Sequence, residues 1–457
     1  MSELGAALPV VALVGRPNVG KSTLFNRLTR SRDALVADQP GVTRDRHYGY
    51  AVHAGQRYIV VDTGGIGQDD EDIDARALAQ TNAALEEADV VLLVVDYRQG
   101  IMSGDEAIAA QLRRQGARVI ITVNKSEGQT TVGASAEFHA LGLGDPWAIS
   151  AEHGDRVNLL LDDVFADLPS PRAAVRAHRS DAVRLAVLGR PNAGKSTLVN
   201  RLIGDDRMLT QDAPGTTRDA VASEFTFDDK PYVIVDTAGV RRRARIDDAL
   251  EKISVIKAMQ AAEQAQVVLL VIDGAAGLST QDIRLLNLVV ERGRAAVIAV
   301  NKWDGLDARY RERLHADLVE RMGVFDFLPL VFISALHGSG LRNLLDAVQA
   351  SHRALFAELS TPQLSRALEA AVEAHAPPAI HGRRIKLRFA HQGGQNPPKI
   401  VVHGNQTQRL SAEYKRYLVR RFREHFDLFG TPIHLVFKNS ENPYADKAKA
   451  RPRPRRR

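Results

Sequence analysis

No cysteine occurs in the 457 residues, which excludes disulfides, thiolate catalysis and Cys-ligated zinc. Long apolar runs are missing as well, with no stretch of about 18 residues that reads as a membrane span. Met1 to Leu8 lacks the basic and apolar regions of a secretory leader. These absences fit a cytoplasmic protein without a membrane partner. Acidic residues are scarce at one end only. Residues 361–457 hold 20 Lys/Arg against 7 Asp/Glu, a net of +13, while the remainder holds 41 against 48, a net of −7. Basicity concentrated in this way is the footprint of a nucleic-acid partner. A hydrophobic content of 44% is enough to build cores, and the length suggests about three domains.

What the chain does contain, it contains twice. Gly15-Arg16-Pro17-Asn18-Val19-Gly20-Lys21-Ser22-Thr23 recurs 174 residues later as Gly189-Arg190-Pro191-Asn192-Ala193-Gly194-Lys195-Ser196-Thr197. Each copy follows an apolar run (Val10 to Val14; Leu185 to Leu188) and precedes a helical pattern, the setting in which G-x-x-x-x-G-K-[ST] is a phosphate loop. Its glycines let backbone N–H groups turn inward around a phosphate at a helix N-terminus. Lys21 and Lys195 are candidates to reach the β and γ phosphates, and Ser22 and Ser196 to ligate Mg²⁺.

Further motifs follow in the same order in both halves. Asp62 ends a β-branched run and begins Asp62-Thr63-Gly64-Gly65, and the counterpart is Asp236-Thr237-Ala238-Gly239. An Asp at a strand end can hold Mg²⁺ through water, and Gly65 and Gly239 leave an N–H free to approach a γ-phosphate. Thr43 in Gly41-Val42-Thr43-Arg44-Asp45 and Thr217 in Gly215-Thr216-Thr217-Arg218-Asp219 are candidate second Mg²⁺ ligands. Asn124-Lys125-Ser126-Glu127 and Asn301-Lys302-Trp303-Asp304 come next, then Ser150-Ala151 and Ser334-Ala335. Strands alternating with helices, with polar residues at strand ends, argue for doubly wound α/β sheets. Equal spacing of the early motifs indicates a duplicated domain.

This motif set resembles that of a Ras-like GTPase domain. The resemblance implies that Glu127 and Asp304 read guanine through its N1–H and exocyclic amine, with Ser150, Ala151, Ser334 and Ala335 supporting the base. Glu127 stands where the family has Asp, one methylene longer. Ras-type enzymes place a water-orienting glutamine after the D-x-x-G glycine, where this chain has Ile66 and Val240. Catalysis then needs another charge-stabilising device. Asn18 and Asn192 match the position that in Era-like GTPases helps bind K⁺; the alternative is that they only shape the loop. Arg241, Arg242, Arg243 and Arg245 read as a solvated face, with one of them free to touch nucleotide, another domain or RNA.

Past residue 360 the pattern changes. Leu364, Leu368, Ala371 and Val372 have helical spacing, and Ile385, Leu387 and Phe389 alternate with Lys386 and Arg388 as a half-exposed strand. Lys399 to His403 and Ile433 to Phe437 read as two more strands. Tyr414, Leu418, Phe422 and Phe426 form an i, i+4 stripe that reads as core. The order α-β-β-α-β resembles the KH-like domain of the double-Era-like-domain GTPases, the Der or EngA family. The fold class expected is therefore two tandem Ras-like P-loop GTPase domains followed by a smaller α+β KH-like domain. The segments are 8–168, a linker 169–181, 182–357, 360–444, and a basic tail 445–457. KH domains grip single-stranded RNA through a G-x-x-G loop that residues 360–444 lack, which leaves docking on another domain open. The tail reads as an arm for phosphate backbones or as a solubilising extension.

The resemblance implies a monomeric GTP/GDP switch, using Mg²⁺ and K⁺, that acts on the large ribosomal subunit and its RNA. Three rivals differ in class. A GTPase-coupled tRNA-modifying protein would carry one such domain and usually a Cys-bearing partner domain. An RNA-binding scaffold with one inactive site has only Glu127 in its favour, and a membrane-remodelling GTPase would need an amphipathic or spanning segment.

Overall fold

The computed structural model describes residues 8–29, 48–63, 85, 87–166, 168, 182–204, 222–235, 255–377 and 385–439. The linker 169–181, the tail 445–457, Thr43, Gly65, Ile66, Thr217, Asp236, Gly239, Val240 and the arginines 241–245 lie outside them. In the first half, β1 (Val10–Val14), α1 (Lys21–Thr29), β2 (Tyr48–His53), β3 (Gln56–Asp62), β4 (Val90–Asp96), α2 (Ser103–Gln115), β5 (Val119–Asn124), α3 (Thr131–Ser135), β6 (Trp147–Ala148) and α4 (Val157–Ala166) follow in turn. Their sheet runs β2-β3-β1-β4-β5-β6, parallel except for β2. Both faces of β1 are buried because alternate residues serve different cores. Val11 and Leu13 pack with Leu24 and Phe25, and Ala12 and Val14 with Ala109 and Leu112.

The second half repeats the plan with β7 (Val183–Leu188), α5 (Lys195–Gly204), β8 (Ala222–Phe227), β9 (Lys230–Val235), α6 (Val255–Gln264), β10 (Val267–Asp273), α7 (Thr280–Glu291), β11 (Ala295–Asn301), α8 (Ala308–Met322), β12 (Leu330–Phe332) and α9 (Leu341–Leu355). The order β8-β9-β7-β10-β11-β12 matches the first sheet strand for strand. The third unit has α10 (Thr361–Ala374), β13 (Leu387–Gly394), β14 (Lys399–Gly404), α11 (Ala412–Phe426) and β15 (His434–Asn439), the expected α-β-β-α-β order. Tyr414, Leu418 and Phe422 are buried between α11 and the sheet, with Phe426 against them. The aromatic stripe is core, as its spacing predicts. Among the described residues no helix is long and apolar enough to cross a membrane.

One strand departs from its pattern. Strict alternation puts Leu387 and Phe389 on the same face, yet Phe389 is 42% exposed. Leu387 pairs with Gly404 and Phe389 with His403, so Arg388 is an extra residue in β13. This bulge turns Phe389 to the face opposite Leu387. Gly404 permits it, because a Cβ there would lie 2.4 Å from the Lys386 carbonyl oxygen.

The two halves meet through β2, β3 and α6. The Tyr50 hydroxyl donates to the Met259 carbonyl at 2.9 Å, and Arg292 lies over the Tyr50 ring at 4.5 Å. Glu263, buried, accepts from Arg57 at 2.8 Å and also from Arg292, with Arg294 at 3.7 Å. Burial works to raise the Glu263 pKa, but the hydrogen bond and charge of Arg292, with Arg294 and Arg57 behind it, outweigh burial and hold it below the usual carboxylate value. Third-unit contacts are equally direct: Ala296 N–H donates to the Gly430 carbonyl at 2.8 Å, and Arg423 lies 4.0 Å over Phe327.

Replacing Glu263 leaves the buried Arg294 and the half-buried Arg292 guanidiniums without their shared carboxylate. Glu263→Ala should therefore cost about 3 kcal/mol in urea unfolding, and Glu263→Gln less. Because the folded pKa is depressed, the ionised carboxylate contributes its full stability above about pH 4.5, and that share is lost as pH falls through the folded value. An acid-unfolding midpoint unchanged in Glu263→Gln would contradict this.

Candidate functional site

Each phosphate loop leaves the end of a buried strand and enters a helix at its lysine. Gly15 has φ +150°, and a Cβ on it would stand 2.2 Å from the Val94 carbonyl oxygen; Gly189 meets Val271 at the same distance. Asn18 and Asn192 sit in the left-handed region, at φ 65° and 60°, which asparagine tolerates better than most residues. The Lys21 ammonium is buried in the loop, donating to the Gly15 and Arg16 carbonyls at 2.8 and 2.7 Å. Burial pulls its pKa down, with Asp62 pulling the other way. Lys195 donates likewise to the Arg190 carbonyl at 2.7 Å. The Ser22 hydroxyl donates to Asp62 at 2.7 Å, which brings together two of the expected Mg²⁺ ligands.

Asn124 and Asn301 hold the loop from below. Asn124 Nδ2 donates to the Val19 carbonyl at 2.9 Å, and its Oδ1 accepts from Ala151 N–H at 2.8 Å. Asn301 does the same with Ala193 at 2.8 Å and Ala335 at 2.9 Å. One buried carboxamide thus ties the phosphate loop to the Ser-Ala segment in each half. Lys125 donates to the Asn18 carbonyl at 2.9 Å and to Asp96 at 2.7 Å, and Lys302 donates to Asp273 at 2.6 Å.

The carboxylates at the rim are fixed by the serines. The Ser150 hydroxyl donates to Glu127 at 2.7 Å, and Arg98 adds a contact at 3.2 Å. These bonds, Ser150 first, hold the Glu127 pKa below the usual range. Asp304 is lowered in the same way by the Ser334 hydroxyl, with His337 at 3.3 Å. The extra methylene of Glu127 therefore does not cost it the serine. Both backbone donors expected to face a base are partnered within the protein: Ser150 N–H with Asp155 at 3.1 Å, and Ala151 N–H with Asn124.

The motif reading missed four anchors. Asp96 and Asp273 hold the motif lysines, and Asp105 and Asp282 hold the loop arginines Arg16 and Arg190 at 2.9 and 3.0 Å. Both pairs recur at one constant separation between the halves, a signal that aligning the repeats would have exposed.

The family model for a 50S ribosome-binding GTPase matches residues 10–125 and 184–302. The KH-domain-like model of EngA bacterial GTPase enzymes matches residues 358–438. GTPase Der of Thioalkalivibrio sulfidiphilus is 52% identical over 441 residues, covering 96% of this chain and 95% of that protein. The chain belongs to the Der/EngA family of GTPases. GTPase Der of Legionella pneumophila is 49% identical over 96% of this chain and 95% of its own length. GTPase Der of Halorhodospira halophila is 52% identical over 96% and 93%. Like other members of the Der/EngA family, this chain has two P-loop GTPase domains, which imply GTP or GDP with Mg²⁺, followed by the smaller KH-like domain.

Removing a bracket should be felt without any nucleotide. Asn124→Ala leaves the Val19 carbonyl and Ala151 N–H buried without partners, at about 1–3 kcal/mol each. Thermal melts of the ligand-free chain should show a clear loss for Asn124→Ala and for Asn301→Ala; an unchanged midpoint would refute the bracket.

Proposed function

We propose that each half binds and hydrolyses GTP, and that the pair of sites switches the grip of the chain on the large ribosomal subunit and its RNA. The observation that carries this reading is the same cradle built twice, closed below by Asn124 or Asn301 and ended at the rim by a serine-held carboxylate. Gly15 to Thr23 and Gly189 to Thr197 wrap the phosphates with backbone N–H groups. Lys21 and Lys195 exchange backbone carbonyls for the β and γ phosphates. Ser22 with Asp62, and Ser196 with Asp236, hold Mg²⁺, joined by Thr43 and Thr217. When bound, Mg²⁺ neutralises charge on the β and γ phosphates. Gly65 and Gly239 present an N–H to the γ-phosphate. Glu127 and Asp304 accept from guanine, a pattern adenine cannot match.

Ile66 and Val240 cannot orient a water; Asn18 and Asn192 would hold a K⁺ beside the phosphates, which would supply positive charge where an arginine finger would. The left-handed backbone at both asparagines gives the residue a conformational role there as well. The basic C-terminal end and the ribosome-binding description of the matched model support RNA on the large subunit as the target. The setting is the cytoplasm, with the chain acting as a monomer. Glu127 makes the same serine contact as Asp304, so the reading of a scaffold with one dead site gains nothing from it.

Lys21→Ala and Lys195→Ala, made separately, should each abolish turnover at one site and leave the other working, and the double variant should be inactive. Turnover in KCl should exceed turnover in NaCl at least several-fold. Equal rates in the two salts would remove the K⁺ role, and full activity in either single variant would remove that site.

A further inference from the structure

We propose that Phe389, His391 and His403, which stack on the face of the C-terminal sheet opposite Leu387, form a platform for unpaired RNA bases. The Phe389 and His403 rings are nearly parallel, 7° apart, with centroids 4.4 Å from each other. His391 joins at 5.1 Å from His403 and 6.3 Å from Phe389. The Arg388 bulge turns Phe389 away from the face of Leu387 that the alternation predicts for it, leaving it among the few large apolar side chains exposed in the described residues. Among the described residues His403 Nε2 has no hydrogen-bond partner, and the ring contacts of His403 are to Phe389 and His391. Burial, His391 and Lys438 lower the His403 pKa, which keeps the ring neutral at physiological pH.

The surroundings select the occupant. No Asp or Glu occurs in β13, β14 or β15, while Arg388, Lys399 and Lys438 are exposed, Lys438 directly opposite His403. An apolar surface one ring wide is too small for a hydrophobic protein interface, whereas it matches a base whose phosphates reach the flanking cations. This mode needs no G-x-x-G loop, the element that residues 360–444 lack. The inference rests on the RNA-directed reading above and names where an unpaired strand is held.

Fluorescence anisotropy of the full chain with a labelled ten-nucleotide oligoadenylate, and with an abasic strand of equal length, tests it. The wild-type protein should prefer the base-bearing strand about tenfold or more. Phe389→Ala should lose that preference without changing the slope of log K against log salt, and Phe389→Trp should keep it. Lys438→Ala should instead lower the slope by about 0.7. Equal affinity of Phe389→Ala and wild type for oligoadenylate, or equal affinity of the wild type for both strands, would overturn the platform. Co-sedimentation with large ribosomal subunits separates the two readings. A wild-type chain that pellets with subunits but shows no base preference loses only the platform; one that does neither loses the ribosomal reading as well.

Discussion

A single buried carboxamide under each phosphate loop is the constraint on which the rest of the molecule depends. Asn124 spans from Val19 in the loop to Ala151 after the last strand, and Asn301 spans from Ala193 to Ala335. The loop glycines answer to it. A Cβ on Gly20 would stand 2.2 Å from Asn124 Nδ2, and one on Gly194 would stand 2.1 Å from Asn301 Nδ2. The second loop glycine is thus required by the protein's own packing as well as by a phosphate. In the first half Lys125 reaches the Asn18 carbonyl of the loop, and in both halves the rim carboxylate accepts from a serine.

The same economy governs how the domains join. β2 emerges from the first threonine loop and lies on α6, which emerges from the segment after the second D-x-x-G motif. Tyr50 of β2 and Arg57 of β3 reach α6 at the Met259 carbonyl and at Glu263. Elements that follow the threonine motif of the first half and the D-x-x-G motif of the second in sequence therefore rest on one another, through a carboxylate shared by three arginines. The KH-like unit is fastened to the second half by backbone hydrogen bonds at Gly430 and by Arg423 over Phe327.

Much of this was legible in the sequence because motif and position coincide there. The phosphate loops, strand-end acids and duplicated order fix the two sheets, and the Tyr414-Leu418-Phe422 spacing fixes the core of the third unit. Other features were not legible, for physical reasons. The Ser150 and Ser334 hydroxyls act across a turn on Glu127 and Asp304, a pairing that chain spacing does not reveal. Asp96 and Asp273 end buried strands and read as ordinary strand termini until the lysines are seen to reach them. Alternation reads Phe389 on the same face of a half-exposed strand as Leu387, and only the paired strand shows the one-residue bulge that turns it outward.

Titration calorimetry of the full chain with GDP in Mg²⁺ and KCl tests the central claim most directly. The account predicts two GDP per chain, with no comparable heat from ADP. One GDP per chain, or equal binding of ADP, would contradict it.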